Sequence, residues 1–294
     1  MLKREYGRLL SGCTTLKIGG PVFCLLEPEN VDDLLEAVDL ARGEGKKITV
    51  IGRGSNILAR GGGFDGIVIR LGQGFDFINK EDNDIVNAGA GLPLSLLVKK
   101  TAGWGLTGCE FLTGIPGSLG GALFMNAGVR DTKDTSKILE IKDLILDAEV
   151  LDLITGKQHI MKKDDMGFAY RSSKLEGKCV ISGRLKLKGS VKDEISKRTE
   201  SFVKSRQWIE SLGFPSAGSV FKNPAGPRSA GMLIEQCGLK GARMGCAGIS
   251  DVHANFIVNL GDASSDDVMN LINLAKKKVR DKFGIDLELE LKLL

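Results

Sequence analysis

Three short segments of this 294-residue chain carry residue types that chemistry can use. The first is Ile51-Gly52-Arg53-Gly54-Ser55-Asn56-Ile57-Leu58. It follows an apolar run, and its small residues let backbone N–H groups approach an anion with no Cβ in the way. It is not a dinucleotide fingerprint, because Ile57 stands where the third glycine belongs, and not a P-loop, because no Gly-Lys-Ser/Thr is present. A plain tight turn fits it equally well. The second segment runs from Thr113 to Gly128 and holds five glycines and one proline. It suits a turn feeding a helix N-terminus, where N–H groups and the helix dipole favour a pyrophosphate. Close packing of a helix on a sheet selects the same glycines. The third is Ala217-Gly218-Ser219-Val220-Phe221-Lys222-Asn223-Pro224. Ser219 is either a proton donor beside an anion-binding pair, Lys222 and Asn223, or an ordinary turn residue; it is not a G-x-S-x-G elbow.

The elements around these segments follow from hydrophobic period and capping. Residues 30–45 read as a helix, with Asn30 and Asp33 as a capping pair and Val31, Leu34, Leu35 and Val38 on one face. Residues 47–51 read as a strand, 67–71 and 84–87 as further strands, and 94–103 as a helix. A hairpin is expected over 144–154 and 158–161 around Thr155-Gly156, and another strand over 179–188. Ser190 with Asp193 would cap a long helix through Ile195, Phe202 and Val203 to about Trp208. A strand over 256–260 and a helix from about Asp266 to Phe283, capped by Ser264 or Ser265 and ended by Gly284, come next. Ile285–Leu291 alternates strictly and reads as a strand with Asp286, Glu288 and Glu290 on its polar face. The change of pattern places a domain boundary near residue 189.

Composition narrows the function classes. An apolar fraction of 42% and a charged fraction of 27% are those of a soluble globular protein. Aromatics at 5% and a net charge of only +4 argue against a nucleic-acid partner. Six cysteines without a C-x-x-C pair, and two histidines, give neither a zinc site nor a disulfide framework. Leu10-Ser11-Gly12-Cys13 imitates a lipoprotein cleavage site, but Lys3, Arg4, Glu5, Gly7 and Arg8 stand where an apolar stretch is needed. No run of about 18 apolar residues exists, so a cytoplasmic protein without a membrane partner is expected.

Eight motifs in order resemble the UDP-N-acetylenolpyruvoylglucosamine reductase family, from about residue 14 to 292. They are Thr14–Gly20, Gly52–Asn56, Gly114–Gly121, Asn126–Gly128, Tyr170–Ser173, Ala217–Pro224, Leu233–Gly241 and His253–Asn259. The resemblance implies an α+β chain: a PCMH-type (vanillyl-alcohol-oxidase-like) FAD-binding domain over 1–189 and a smaller α/β C-terminal substrate-binding domain over 190–294. FAD would be held by Gly52, Arg53, Gly54, Ser55, Asn56 and Ile57, by Thr113, Gly114, Ile115, Pro116, Gly117, Ser118, Gly120 and Gly121, and by Asn126, Ala127 and Gly128. It would be non-covalent, since neither His159 nor His253 lies in those loops. The resemblance further implies NADPH as reductant, a UDP-sugar substrate, hydride delivery from flavin N5 to C3 of an enolpyruvyl group and protonation at C2.

By the same resemblance Ser219 matches the proton donor, and Arg171 and Glu290 match the pair that steadies the substrate carboxylate as it gains enolate-like charge. Such preorganised groups are worth several kcal/mol. A carboxyl held near another carboxylate has a raised pKa and can donate a hydrogen bond. Serine is a poor acid alone, so its proton has to be replaced through water or a neighbour. Tyr170, Lys222, Asn223 and Gln236 match substrate-side positions, and a monomer is expected. Three departures stand out: Arg130-Asp131 where many members have Tyr-Gly, Ile209-Glu210-Ser211 for a usual Ser/Thr-Gln-Pro, and Leu287–Lys292 for the commoner final strand. The stretch from Arg171 to Ser219 suits the class lacking an extra tyrosine-bearing loop. The competing readings are another flavin enzyme of the same fold, and a flavin-binding protein without catalysis.

Overall fold

The computed structural model describes residues 2–294. The chain forms two compact units, and neither is one continuous stretch. The first comprises the residues up to Glu5, Cys24–Gly52 and Gly66–Gln207; the second comprises Tyr6–Phe23, Arg53–Asp65 and Trp208–Leu294. Six α-helices are present among the described residues: α1 (Val31–Gly43), α2 (Leu94–Gly103), α3 (Leu119–Met125), α4 (Lys192–Arg206), α5 (Ala230–Gln236) and α6 (Ser265–Phe283).

In the first unit residues 3–5, 24–27, 66–70 and 47–51 form a four-stranded sheet in that order. The last two strands are parallel, Ile48 facing Ile67 and Val50 facing Ile69. Helix α1 begins where the capping pair said it would, the Asn30 side chain accepting the Asp33 N–H. Such a cap is worth about 1 kcal/mol. A five-stranded antiparallel sheet follows the order Gln158–Lys162, Ile145–Asp152, Lys178–Lys186, Ile85–Gly89, Ile78–Lys80. Helix α3 lies on it because Gly183 leaves room: a Cβ there would come 3.0 Å from Ile145 and 3.3 Å from Leu123. Val86, Leu97, Leu119, Leu123, Val150, Leu185 and Phe202 fill the core between.

Helix α4 is polar and is anchored by two buried residues, Ile195 and Phe202. It belongs to the first unit, although the change of pattern near 189 precedes it. Ser190 does not cap it with Asp193. Val191 is the N-cap, and the Ser190 hydroxyl donates to Glu194 instead. The serine is one residue too early for its oxygen to meet the first free N–H groups. The helix ends at Arg206 and tightens into a 3-10 stretch, Gln207–Leu212.

The second unit has a four-stranded antiparallel sheet in the order Ser216–Ser219, Phe256–Asn259, Ala247–Ile249, Arg243–Met244, with α5 and α6. Of the two expected caps Ser264 is the N-cap of α6, forming a capping box with Asp267, and left-handed Gly284 ends the helix as expected. The strand expected over Ile285–Leu291 is not a regular one. Its alternation sorts burial correctly, with Leu287 and Leu291 in the core and the Glu288 side chain 78% exposed. The facing segment, Val220–Lys222, runs into Pro224 and is too short for a ladder. Only Lys292–Leu293 is a strand, parallel to Ile57–Leu58.

All six cysteines are free. Burial pushes the Cys109 and Cys179 thiols up to about 12, so both stay protonated. No helix among the described residues is long and apolar enough to cross a membrane, and no cluster that could hold a metal occurs among them.

Candidate active site

In the first unit the parallel strand Lys47–Ile51 ends at Gly52, where it meets the second glycine segment. A Cβ on Gly52 would lie 2.9 Å from the Ser118 Oγ and 3.9 Å from the Gly121 Cα. Two Cβ-free edges and a buried hydroxyl therefore converge at one place. Packing accounts for part of the glycine content. The N–H groups of Leu119 and Gly120, at the start of α3, donate to Leu92 and Ala90 carbonyls at 3.0 and 2.8 Å. A Cβ on Gly120 would stand 3.0 Å from that of Ala90. Gly114 is left-handed at φ +73°, the backbone state that forms anion-receptive nests. The Ser118 hydroxyl, the Cβ-free edges of Gly52 and Gly121 and the left-handed Gly114 fit a diphosphate such as that of FAD. Arg206 donates from Nε to the Gly114 carbonyl at 3.2 Å. Burial, and secondarily the charge of Arg171, pull its guanidinium below its usual range.

Arg171 is also in the first unit. It is a left-handed non-glycine residue, φ +56°, beside Asn126, which is left-handed at φ +44°. Its guanidinium donates to the Gly128 carbonyl at 2.7 Å and the Asn126 carbonyl at 3.4 Å, and lies 3.9 Å from the buried Glu140 carboxylate. Asn126 in turn donates from its side chain to the Ala169 carbonyl and accepts the Lys142 N–H. Asn126 and Gly128 thus hold Arg171 directly, and Arg171 lies over the Tyr170 ring at 5.0 Å. Asp131, one of the departures, pairs with Arg198 of α4 at 3.6 Å.

In the second unit the structure brings Ser219, Lys222 and Glu290 together through the backbone. The Glu290 N–H donates to the Val220 carbonyl at 2.9 Å, and the Lys222 N–H to the Glu288 carbonyl at 2.9 Å. The Asn56 side chain donates to the Glu290 carbonyl at 3.0 Å, and the Lys292 N–H to the Asn56 carbonyl at 3.0 Å. Gly54 is glycine for packing: a Cβ would come 2.0 Å from the Cys13 carbonyl. Thr15 ties the turn to the serine strand, its hydroxyl donating to the Ser216 carbonyl at 2.7 Å. Asn223 accepts the Ala230 N–H at the start of α5. Gln236, at the other end of α5, is exposed, and its carbonyl accepts from Lys282. His253 stacks on Trp208, ring centroids 4.8 Å apart, and burial lowers its pKa. Sequence reasoning passed over Thr15 and Asn255, which stood in quoted motifs as members only, and Arg206, for which no local signal exists.

Residues 23–161 match a family model described as an FAD binding domain, and residues 209–294 match one described as the C-terminal domain of UDP-N-acetylenolpyruvoylglucosamine reductase. With the converging glycine segments, this defines the class: an FAD-dependent oxidoreductase with a PCMH-type FAD-binding domain and a separate C-terminal domain. A UDP-N-acetylenolpyruvoylglucosamine reductase of Bacillus cereus is 38% identical over 302 residues, covering 100% of this chain and 97% of that one. One from Desulforamulus reducens is 42% identical over 283 residues, covering 96% and 90%. The crystal structure of the Thermus caldophilus enzyme superposes with a TM-score of 0.83 at 38% identity, covering 100% and 98%. The chain belongs to the UDP-N-acetylenolpyruvoylglucosamine reductase family.

Proposed function

We propose that this protein uses NADPH and non-covalently bound FAD to reduce UDP-N-acetylglucosamine enolpyruvate to UDP-N-acetylmuramate, a step in making peptidoglycan precursors, as a cytoplasmic monomer. The observation that carries this reading is the backbone lock between Val220 and Glu290, which seats Ser219 and Glu290 on adjoining segments. It does so in a chain matched along its length to proteins named for that reduction. FAD, when bound, supplies a carrier that accepts hydride from NADPH and passes it from N5 to C3 of the enolpyruvyl group.

The chain's own residues do the rest. Gly52, Gly114, Ser118 and Gly121 would hold the diphosphate, the serine through its hydroxyl and the glycines through backbone with no Cβ in the way. Ser219 gives its hydroxyl proton to C2 and is reprotonated through water or a neighbour. Arg171 and Glu290 hold the substrate carboxylate as negative charge builds on it. Arg171 suits this because two backbone carbonyls fix its guanidinium in advance. Tyr170, Lys222, Asn223 and Gln236 are assigned to the substrate side. The test is to follow NADPH loss by the purified flavoprotein with and without the UDP-sugar. Ser219→Ala should keep flavin reduction by NADPH and stall reoxidation by the sugar. Normal turnover in that variant removes Ser219 from its role, and a wild type indifferent to the sugar removes the reading altogether.

A further inference from the structure

The strand that carries Ser219 is poorly paired where it matters. Ser216–Ser219 meets Phe256–Asn259 at Ser216↔Val258 and Ser219↔Phe256, with an irregularity between and Gly218 left-handed at φ +77°. Irregularities of this kind re-aim side chains and end a ladder. The ladder stops at Ser219, so Val220 and Phe221 need other partners for their backbone groups.

One residue supplies three of them. The Asn255 carbonyl accepts the Val220 N–H at 2.9 Å. Its side-chain Oδ1 accepts the Phe221 N–H at 3.0 Å, and its Nδ2 donates to the Phe221 carbonyl at 2.8 Å. The amide stands in for a missing strand residue, and at 4% exposure it is closed off from water. Asn255 is itself fixed, its N–H donating to His253 Nδ1 at 3.1 Å. On the other edge the Val220 carbonyl accepts the Glu290 N–H. Asn255 therefore sets the position of the segment that joins Ser219 to Glu290.

Resting on the function proposed above, we propose that Asn255 is a positioning residue for the protonation step: it touches no reacting atom and aims Ser219 and Glu290 through the backbone of Val220 and Phe221. The chemistry gives a selective test. In Asn255→Asp an ionised carboxylate cannot donate to the Phe221 carbonyl and repels it. The protonated acid restores one acceptor and one donor in nearly the same places.

The experiment is stopped-flow kinetics on the holoenzyme, with flavin reduction by NADPH and reoxidation by the UDP-sugar measured separately from about pH 8 down to about pH 5.5, wild type beside variant. His253, Lys222, Glu288 and Glu290 are the same in both proteins, so the ratio of rates isolates position 255. Asn255→Asp should reoxidise ~100-fold slower at high pH, the scale expected of a misplacement of about 1 Å. It should return to within about threefold of wild type as pH falls, with reduction by NADPH unchanged throughout. Wild-type reoxidation in the variant overturns the proposal, and so does slowing of both half-reactions or slowing that low pH does not relieve. If Asn255→Asp is not recovered with flavin, Asn255→Ser, which lacks the amide, must show the same split between half-reactions or the proposal falls. A wild type that the sugar does not reoxidise overturns this proposal and the function together.

Discussion

Arg171 is held in a backbone conformation that its residue type disfavours, at a cost of about 1–2 kcal/mol. Its compensation is a guanidinium spread over two carbonyls, Asn126 and Gly128, beside the Glu140 carboxylate. A lysine ammonium is a point charge and cannot reproduce that fork. Arg171→Lys should therefore lower stability by about 1–3 kcal/mol, read as a fall in melting temperature. It should slow reoxidation of flavin by the UDP-sugar by ~10²-fold or more while leaving reduction by NADPH intact. Unchanged reoxidation would show that the fork is structural only. Nothing in the sequence near Arg171 announces this arrangement. As a letter it is one arginine among many, and its partners lie 45 and 43 residues upstream. The motif resemblance drew attention to it; the left-handed φ and the carbonyl pair are properties of folded backbone. The glycines divide the same way: their clustering was legible, but packing against backbone at Gly54 and against Ala90 at Gly120, and close approach to the Ser118 hydroxyl at Gly52, look identical in a sequence.

At the level of elements, local signals were legible wherever one residue satisfies its near neighbours. The hairpin turn after Ile145–Asp152 is such a case. The Asp152 carboxylate accepts the N–H groups of Ile154 and Thr155 and the Thr155 hydroxyl, and faces Lys178 at 3.3 Å. The Thr155 N–H is the main reason its pKa is lowered to about 2. Because the folded value lies below the unfolded one, this stabilisation is present above about pH 4 and is lost as pH falls to about 2. Solvent contact discounts it, and we expect Asp152→Asn to cost about 1 kcal/mol at pH 7. Urea midpoints should show that difference vanishing near pH 2; a difference independent of pH would mean the charge is not its source. The Ile285–Leu291 segment shows the opposite limit. Its alternation gives the buried face, but whether it is a strand depends on its partner, and Val220–Lys222 offers only a short one. The cap of α4 fails for a related reason: a serine and an acid three apart do not reveal which residue turns the chain.

For the whole molecule, the second unit is assembled from three stretches of chain, which a reading of local pattern cannot find. The division near residue 189 that the pattern suggests is contiguous. The core of that unit includes Leu16, Ile18 and Leu58. Further ties run from the Asn259 side chain to the Leu16 carbonyl at 3.1 Å, from the Gly61 N–H to the Ser265 hydroxyl at 2.9 Å, and from the Arg60 N–H to the Leu294 carbonyl at 2.8 Å. Burying three such aliphatic side chains contributes roughly 5–9 kcal/mol, comparable with the ~5–15 kcal/mol that stabilises a whole domain. A fragment of residues 190–294 expressed alone should accordingly lack a cooperative thermal transition and bind a hydrophobic dye, as loosely packed states do. Joining residues 6–23 and 53–65 to 208–294 through flexible linkers should restore the transition, because every side chain of that core is then present. A sharp melt from the 190–294 fragment by itself would mean that Leu16, Ile18 and Leu58 contribute far less than their burial implies, and that the contiguous division is the physical one after all.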